Sequence, residues 1–326
     1  MINGLINGGI KATDDAKLNK LKSSYLVTCP KRKVLEAFAK RFLLALYCDN
    51  KSSCMICSGC KKVLADSLTD VIKIVPDNGM IKIDMIRAIN DFLYEKPFES
   101  EYKTVLIYDG DKMNTAAQNA LLKPLEQPPK NTCFLILSQS DFGILPTVIS
   151  RCENIRLLPE NKESVIKILL DEGINQSRAK LLARLTCGYL EEAKQLNIEE
   201  EYFILRDKTI QYLNKFLDQK SYAISYFIDL FEESKDNYNA VLDIVKLFIM
   251  DILKFKLTNE ESVIINIDYT DEIKLKSISF TTEALYNMME KLLEFEERMR
   301  FNINYKLTCE SMLFEILKEK YKWLKL

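Results

Sequence analysis

Apolar residues recur at two different periods along this chain. Short runs at 25–28, 71–75, 105–108, 134–137 and 155–158 are apolar almost throughout and rich in Val, Ile, Phe and Tyr. Continuous rather than alternating apolarity fits strands covered on both faces. Between the runs, segments 34–47, 83–94 and 116–127 repeat apolar residues every three or four positions, the spacing of one helix face. Strands alternating with helices predict a parallel α/β sheet. Thr115 with Gln118 offers a capping box for the third helix, and Pro124 predicts a kink near Ala120 to Pro124, because proline lacks the N–H and crowds the preceding turn.

Beyond residue 158 the pattern changes. All eight prolines lie at or before Pro159 and all nine glycines at or before Gly188, so the last 138 residues contain no helix breaker. Val241, Ile244, Val245, Phe248, Ile252 and Phe255 form one helical stripe, and Leu285, Met288, Met289, Leu292 and Met299 another. Both read as core-facing stripes in an all-helical C-terminal region.

At 326 residues and 48% hydrophobic, the chain has material for two or three cores. No apolar run approaches the roughly 20 residues that span a bilayer, and the first thirty residues are polar where a signal peptide needs an apolar centre. A cytoplasmic location is therefore expected, with thiols free or metal-bound rather than paired. The sequence contains no histidine, which excludes Ser-His-Asp and Cys-His nucleophiles. Residues 1–157 carry net charge +5 and residues 158–326 net −6. A free-standing nucleic-acid binder shows a stronger basic bias, so any DNA contact is expected to be shared with partners.

Cys48, Cys54, Cys57 and Cys60 form a C-x5-C-x2-C-x2-C cluster, with Gly59 permitting a tight loop. Four thiolates suit tetrahedral zinc in a closed structural site. Reduced cysteines in a surface loop are the plain alternative. An iron–sulfur cluster is the sharper one, but the bacterial ferredoxin run continues x3-C-P, and position 64 is Leu. Cys29, Cys133, Cys152, Cys187 and Cys309 are expected to be packing residues.

Between the first strand and first helix, where a phosphate loop G-x-x-x-x-G-K-[ST] would stand, the chain reads Cys29-Pro30-Lys31-Arg32-Lys33-Val34-Leu35-Glu36. Both glycines are absent, Leu35 replaces the phosphate-holding lysine, and Glu36 replaces the magnesium-binding hydroxyl. Side chains obstruct the backbone approach, and Glu36 repels polyphosphate at the helix N-terminus. Lys31, Arg32 and Lys33 read as a solvated basic patch. After the third strand, Tyr108 occupies the position of the magnesium-binding carboxylate, and Asp109 alone does not rebuild the site. ATP hydrolysis is not expected.

Several ordered motifs then carry a resemblance. Residues 115–123, TAAQNALLK, lead to Leu125-Glu126-Gln127-Pro128-Pro129; residues 144–152 read ILPTVISRC; and residues 302–310 read NINYKLTCE. With the cysteine cluster, these resemble the clamp-loader subunits of bacterial DNA polymerase III, the gamma/tau and delta-prime family of the AAA+ group. The resemblance implies an AAA+-like α/β P-loop NTPase fold with a zinc insertion over 1–158, a helical lid over 159–200 and an all-helical collar that oligomerises over 201–326. It also implies a delta-prime-like, non-hydrolysing stator that helps load the sliding clamp onto primed DNA and is a component of the DNA polymerase III holoenzyme. Its partners would be gamma/tau and delta subunits, with clamp and primer–template DNA reached through the complex and no membrane involved. Arg151 would act in trans as an arginine finger in a neighbour's ATP site, the plain alternative being a surface ion pair. Ser138 and Gln139 match the family's nucleotide-sensing position, and Arg87 a basic family position. No adenine-pocket sequence is recognisable before Tyr25. Zinc is the only cofactor expected, with ATP not bound productively. An active AAA+ ATPase with an unorthodox phosphate loop and an iron–sulfur redox or sensor protein are the rival readings.

Overall fold

The computed structural model describes residues 13, 21–218, 223–299 and 304–322. Residues 302 and 303 of the last motif, and the segment before residue 21 apart from Thr13, lie outside them. Five parallel strands, β1 (Ser24–Thr28), β2 (Val71–Ile74), β3 (Lys103–Ile107), β4 (Thr132–Ser138) and β5 (Glu153–Arg156), form one sheet in the order β2-β3-β4-β1-β5. In register, Leu26 of β1 pairs with Ile136 of β4 and Asn154 of β5, and Leu106 of β3 with Leu135. The fifth strand begins two residues earlier than its apolar run.

In the central strands β1, β3 and β4 the continuous apolarity has the expected cause, whereas the edge strand β2 is only part-buried and the edge strand β5 largely exposed. Successive side chains point to opposite faces of the sheet. Leu26, Val105, Phe134 and Ile136 enter one core with Ile86, Leu93, Leu121 and Val148, while Tyr25, Val27, Leu106 and Leu135 enter the other with Leu35, Phe38, Phe42 and Leu46. Helices α1 (Arg32–Tyr47) and α2 (Ser58–Leu64) belong to the second core. Helices α3 (Ile83–Arg87), α4 (Ile89–Tyr94), α5 (Thr115–Glu126) and α6 (Pro146–Ile149) supply the first. The expected single helix over 83–94 is thus two short ones, a break that no Gly or Pro explains.

One local expectation changes at α5. Its N-cap is Asn114, whose Oδ1 accepts from the Ala117 N–H at 2.8 Å, so the Thr115–Gln118 capping box does not form. Gln118 is buried and bonds elsewhere. The helix also runs through Pro124 as one element.

The chain divides into two units, Met1–Asn161 with Tyr189–Glu192, and Lys162–Gly188 with Ala193–Leu326. In the second unit every described element is helical: α7 (Lys162–Asp171), α8 (Gln176–Leu185), α9 (Leu190–Ile198, whose first turn belongs to the first unit), α10 (Glu200–Leu217), α11 (Ala223–Glu233), α12 (Tyr238–Thr258), α13 (Thr270–Ser279), α14 (Thr282–Arg298) and α15 (Tyr305–Lys322), with short 3-10 turns between. The two stripes bury as the periodicity requires, with Val241, Ile244, Phe248, Ile252, Leu285, Met288 and Leu292 in one core beside Phe231 and Phe295.

The turn between α12 and α13 is pinned by charge. Arg206 of α10 is 1% exposed and forks onto Asp268 at 2.8 and 2.7 Å, with Asn266 Oδ1 accepting a further bond at 2.8 Å. Asp251 of α12, fully buried, accepts from the backbone N–H of Ile265 and Asn266 and from Asn266 Nδ2. Arg184 of α8 donates to the carbonyls of Glu261, Ser262 and Ile264. Among the described residues no helix is long and apolar enough to cross a membrane.

Candidate four-thiolate metal centre and degenerate phosphate site

The four clustered cysteines come from a helix end, a loop and a helix start. Cys48 caps the C-terminus of α1, Cys57 is the N-cap of α2, and Cys60 lies in the first turn of α2. Between them Lys51, Ser53 and Met55 adopt left-handed backbone, which winds the loop tightly enough to return Cys54 to Cys48. All four sulfurs lie within 4.8 Å of one another, with Cys48 Sγ 3.7 Å from Cys54 Sγ and 3.9 Å from Cys57 Sγ. Sulfurs about 2.3 Å from one tetrahedral ion stand about 3.8 Å apart, whereas disulfide sulfurs touch at about 2.05 Å. The spacing therefore fits four ligands around one ion. A polynuclear cluster spreads its cysteines over several metal atoms and needs them further apart.

Local hydrogen bonding prepares two of these thiols for metal. Burial opposes ionisation of Cys48, but N–H groups of Cys54, Ser52 and Asn50 outweigh it and bring the thiol down to about 5. Backbone N–H groups of Ile56 and Cys57 lower Cys54 in the same way. Burial, with the Cys57 side chain, pushes Cys60 up to about 12, so that an incoming cation displaces its proton. Gly59 serves differently from the loop role that its type suggests. It lies inside α2, where a Cβ would fall 1.9 Å from the Tyr47 carbonyl oxygen. The glycine lets α2 pack against the end of α1 and closes the ligand set. Among the other cysteines, Cys29, Cys133, Cys152 and Cys309 are buried as expected, but Cys187 is exposed, in left-handed backbone.

The basic residues after β1 are largely solvated, with Arg32 and Lys33 exposed, but two of them are also tied by ion pairs. Lys31 Nζ pairs with Glu192 at 2.8 Å, and Arg32 reaches Glu36 at 2.9 Å and Asp109 at 3.0 Å. The side chains after β3 and β4 meet them. Ser138 Oγ lies 2.9 Å from Asp111 Oδ1 and 2.5 Å from the Ser140 carbonyl oxygen, and Gln139 Nε2 donates to Asp109 Oδ1 at 3.4 Å. Tyr108 is half-buried, and burial raises its hydroxyl above the ordinary tyrosine value, so it supplies no anionic oxygen to a cation. Arg87 is exposed, 4.0 Å from Asp84.

Arg151 follows the one-turn helix α6, which begins with Pro146 at its first position, where no N–H is missed. The guanidinium donates through Nε to Glu126 Oε1 at 2.8 Å, through Nη2 to the same oxygen, and through Nη1 to the Thr147 carbonyl at 2.7 Å. Its side chain remains 33% exposed. Sequence reasoning missed what holds the loop that leads into α6. Gln118, only 2% exposed, donates to the carbonyls of Met113 and Gly143 and accepts from the Leu145 N–H at 2.6 Å. A signal was present, since Gln118 shares the inward face of α5 with Ala117, Leu121 and Leu125.

A family model described as DNA polymerase III, delta subunit, matches residues 11–161, and a model of that subunit's C-terminal part matches residues 200–318. DNA polymerase III subunit delta' of Bacillus subtilis is 27% identical over 263 residues, 80% of this chain and 79% of that protein. The delta' subunit of Escherichia coli is 32% identical over 152 residues, 45% of each chain. A solved DNA polymerase III gamma subunit-related protein of Thermotoga maritima is similar over 95% of this chain and 99% of its own, at 21% identity and a TM-score of 0.46.

Proposed function

Because the chain belongs to the DNA polymerase III delta-subunit family, we propose that it is a delta-prime-type subunit of the bacterial clamp loader, helping to place the sliding clamp on primed DNA without hydrolysing ATP itself. One contrast within the α/β unit carries this reading. The chain's own phosphate loop offers Leu35 and Glu36 where lysine and a hydroxyl are needed, while Arg151 stands part-exposed just after α6, held by Glu126 and the Thr147 carbonyl, with the loop that enters α6 fixed by the buried Gln118. The cradle is lost and the finger is kept.

In a neighbouring subunit's ATP site, Arg151 exchanges Glu126 for oxygens of the γ-phosphate, one charge-assisted acceptor for another. Planar donors placed there stabilise the charge that spreads over the transferring phosphoryl group, an effect on the order of 10³–10⁵ in turnover. Cys48, Cys54, Cys57 and Cys60 hold a structural zinc, the ion that the four-thiolate donor set favours, and no position is left open for substrate. Residues 1–158, 159–200 and 201–326 act as α/β domain, lid and oligomerising collar. The partners are gamma/tau and delta subunits in the cytoplasm, and clamp and primer–template DNA are met through the assembled complex.

The test is reconstitution. Mixed with gamma/tau and delta subunits of the same host, the chain is expected to co-elute as one complex that loads the clamp onto primed circular DNA, and loading is expected to fail when it is omitted. Equal loading without the chain contradicts the proposal.

A further inference from the structure

Three loops leave the same edge of the sheet, after β1, β3 and β4, and their polar side chains are wired to one another. Arg32, the first residue of α1, lies 3.0 Å from Asp109 through Nη1 and 2.9 Å from Glu36 Oε1 through Nε. The Asp109 side chain is only 8% exposed and is held by left-handed backbone at φ 49°. Its second oxygen accepts from Gln139, whose backbone N–H reaches Asp111 at 3.3 Å. In open parallel sheets this edge is where ligands bind. In P-loop NTPases a magnesium ion is gripped there by the hydroxyl that ends the phosphate loop and by a carboxylate after the third strand. Glu36 stands at the first of those positions, and Asp109 lies next to the second.

We propose that Arg32 is a built-in substitute for that divalent cation: its guanidinium bridges Asp109 and Glu36, tying the loop after β1 to the loop after β3 so that the edge is closed without metal or nucleotide. The inference deepens the reading of a subunit without its own ATPase, and rests on it only for the comparison with magnesium sites. The weight falls on Asp109. The Arg32–Glu36 contact is an exposed pair within one helix and adds little, whereas a largely buried carboxylate that loses its only cation within 4 Å among the described residues is left costly. Both acids raise the Arg32 pKa, Glu36 more than Asp109, as expected for a cation held between them. Removing the guanidinium leaves two carboxylates converging on a space that a hard, oxygen-seeking cation can fill.

Thermal unfolding of Arg32→Ala, read with and without millimolar Mn2+, tests this. The variant is expected to melt about 2–4 °C below wild type, to recover at least half of that loss with Mn2+, and to bind one Mn2+ more than wild type by paramagnetic titration. Wild type should not respond, and Arg32→Ala with Asp109→Asn should not recover. An unshifted melting point, or a loss that Mn2+ does not repair, overturns the inference. Calorimetric titration of wild type with magnesium ATP separates the two readings. Tight binding there overturns the degenerate nucleotide site, whereas a missing Mn2+ response in the variant overturns only the role of Arg32.

Discussion

Gly59 ties residue chemistry to metal chemistry most tightly. Its α-carbon lies against the carbonyl of Tyr47, one residue before the candidate ligand Cys48, and it is flanked in sequence by the candidate ligands Cys57 and Cys60. The phenol of Tyr47 is anchored at the other end, on Thr104 Oγ1 at 2.9 Å and on the carbonyls of Asp70 and Tyr102. With Tyr47 unable to retreat, a methyl group at position 59 must displace α2 and with it two sulfurs. Gly59→Ala is therefore expected to cost about 1–3 kcal/mol, the usual range for overpacking, and to lower metal content. Purified variant carrying a full equivalent of metal and melting like wild type would rule this out. The cysteine spacing made the cluster readable in the sequence. The use of Gly59 was not, because close approach of two backbones leaves no mark beyond the glycine itself.

At the level of elements, the strands and the long C-terminal helices were legible because burial alone determines their patterns. The central strands β1, β3 and β4, buried on both faces, have to be apolar throughout, whereas the edge strand β5 is largely exposed and reads ENIR, and α12 and α14 need an apolar stripe at helical spacing. What escaped was decided by single polar groups. Asn114 caps α5 in place of Thr115, and Gln118, freed from capping, is spent on the loop before α6. The clamp on residues 261–268 was equally silent, since Arg184 and Arg206 lie 60–80 residues from their partners there in sequence and Asp251 meets it only once the turn after α12 has folded back. Arg206 makes the strongest prediction here. Truncation to Ala strands Asp268 and Asn266 and removes a buried fork, which is expected to cost about 3 kcal/mol, the low end for broken buried pairs because Asp268 is partly exposed. Urea unfolding followed by circular dichroism should show an earlier midpoint for the helical unit. A midpoint within error of wild type would mean that the turn is held by packing instead.

For the whole molecule, the parts fit one purpose. The first unit has a core on each face of its sheet and the second a helical core, a four-cysteine cluster that could hold a metal lies in the first, and the sheet edge that would bind nucleotide is satisfied internally by Arg32, Asp109, Asp111 and Gln139. The motif order announced the family in the sequence. The closing of the sheet edge did not show there, because Arg32 looks like one more surface cation until Asp109 is brought beside it. On the proposed reading such a chain has little left to do with a nucleotide of its own, and Arg151 is the group proposed to serve another's. The most direct measurement is DNA-stimulated ATP hydrolysis by the reconstituted complex containing Arg151→Ala, checked by size-exclusion chromatography for intact assembly. The account predicts full assembly with turnover reduced at least tenfold at the site this chain adjoins, and Arg151→Lys recovering only part because it lacks the fork. Hydrolysis equal to wild type in a fully assembled Arg151→Ala complex would contradict it.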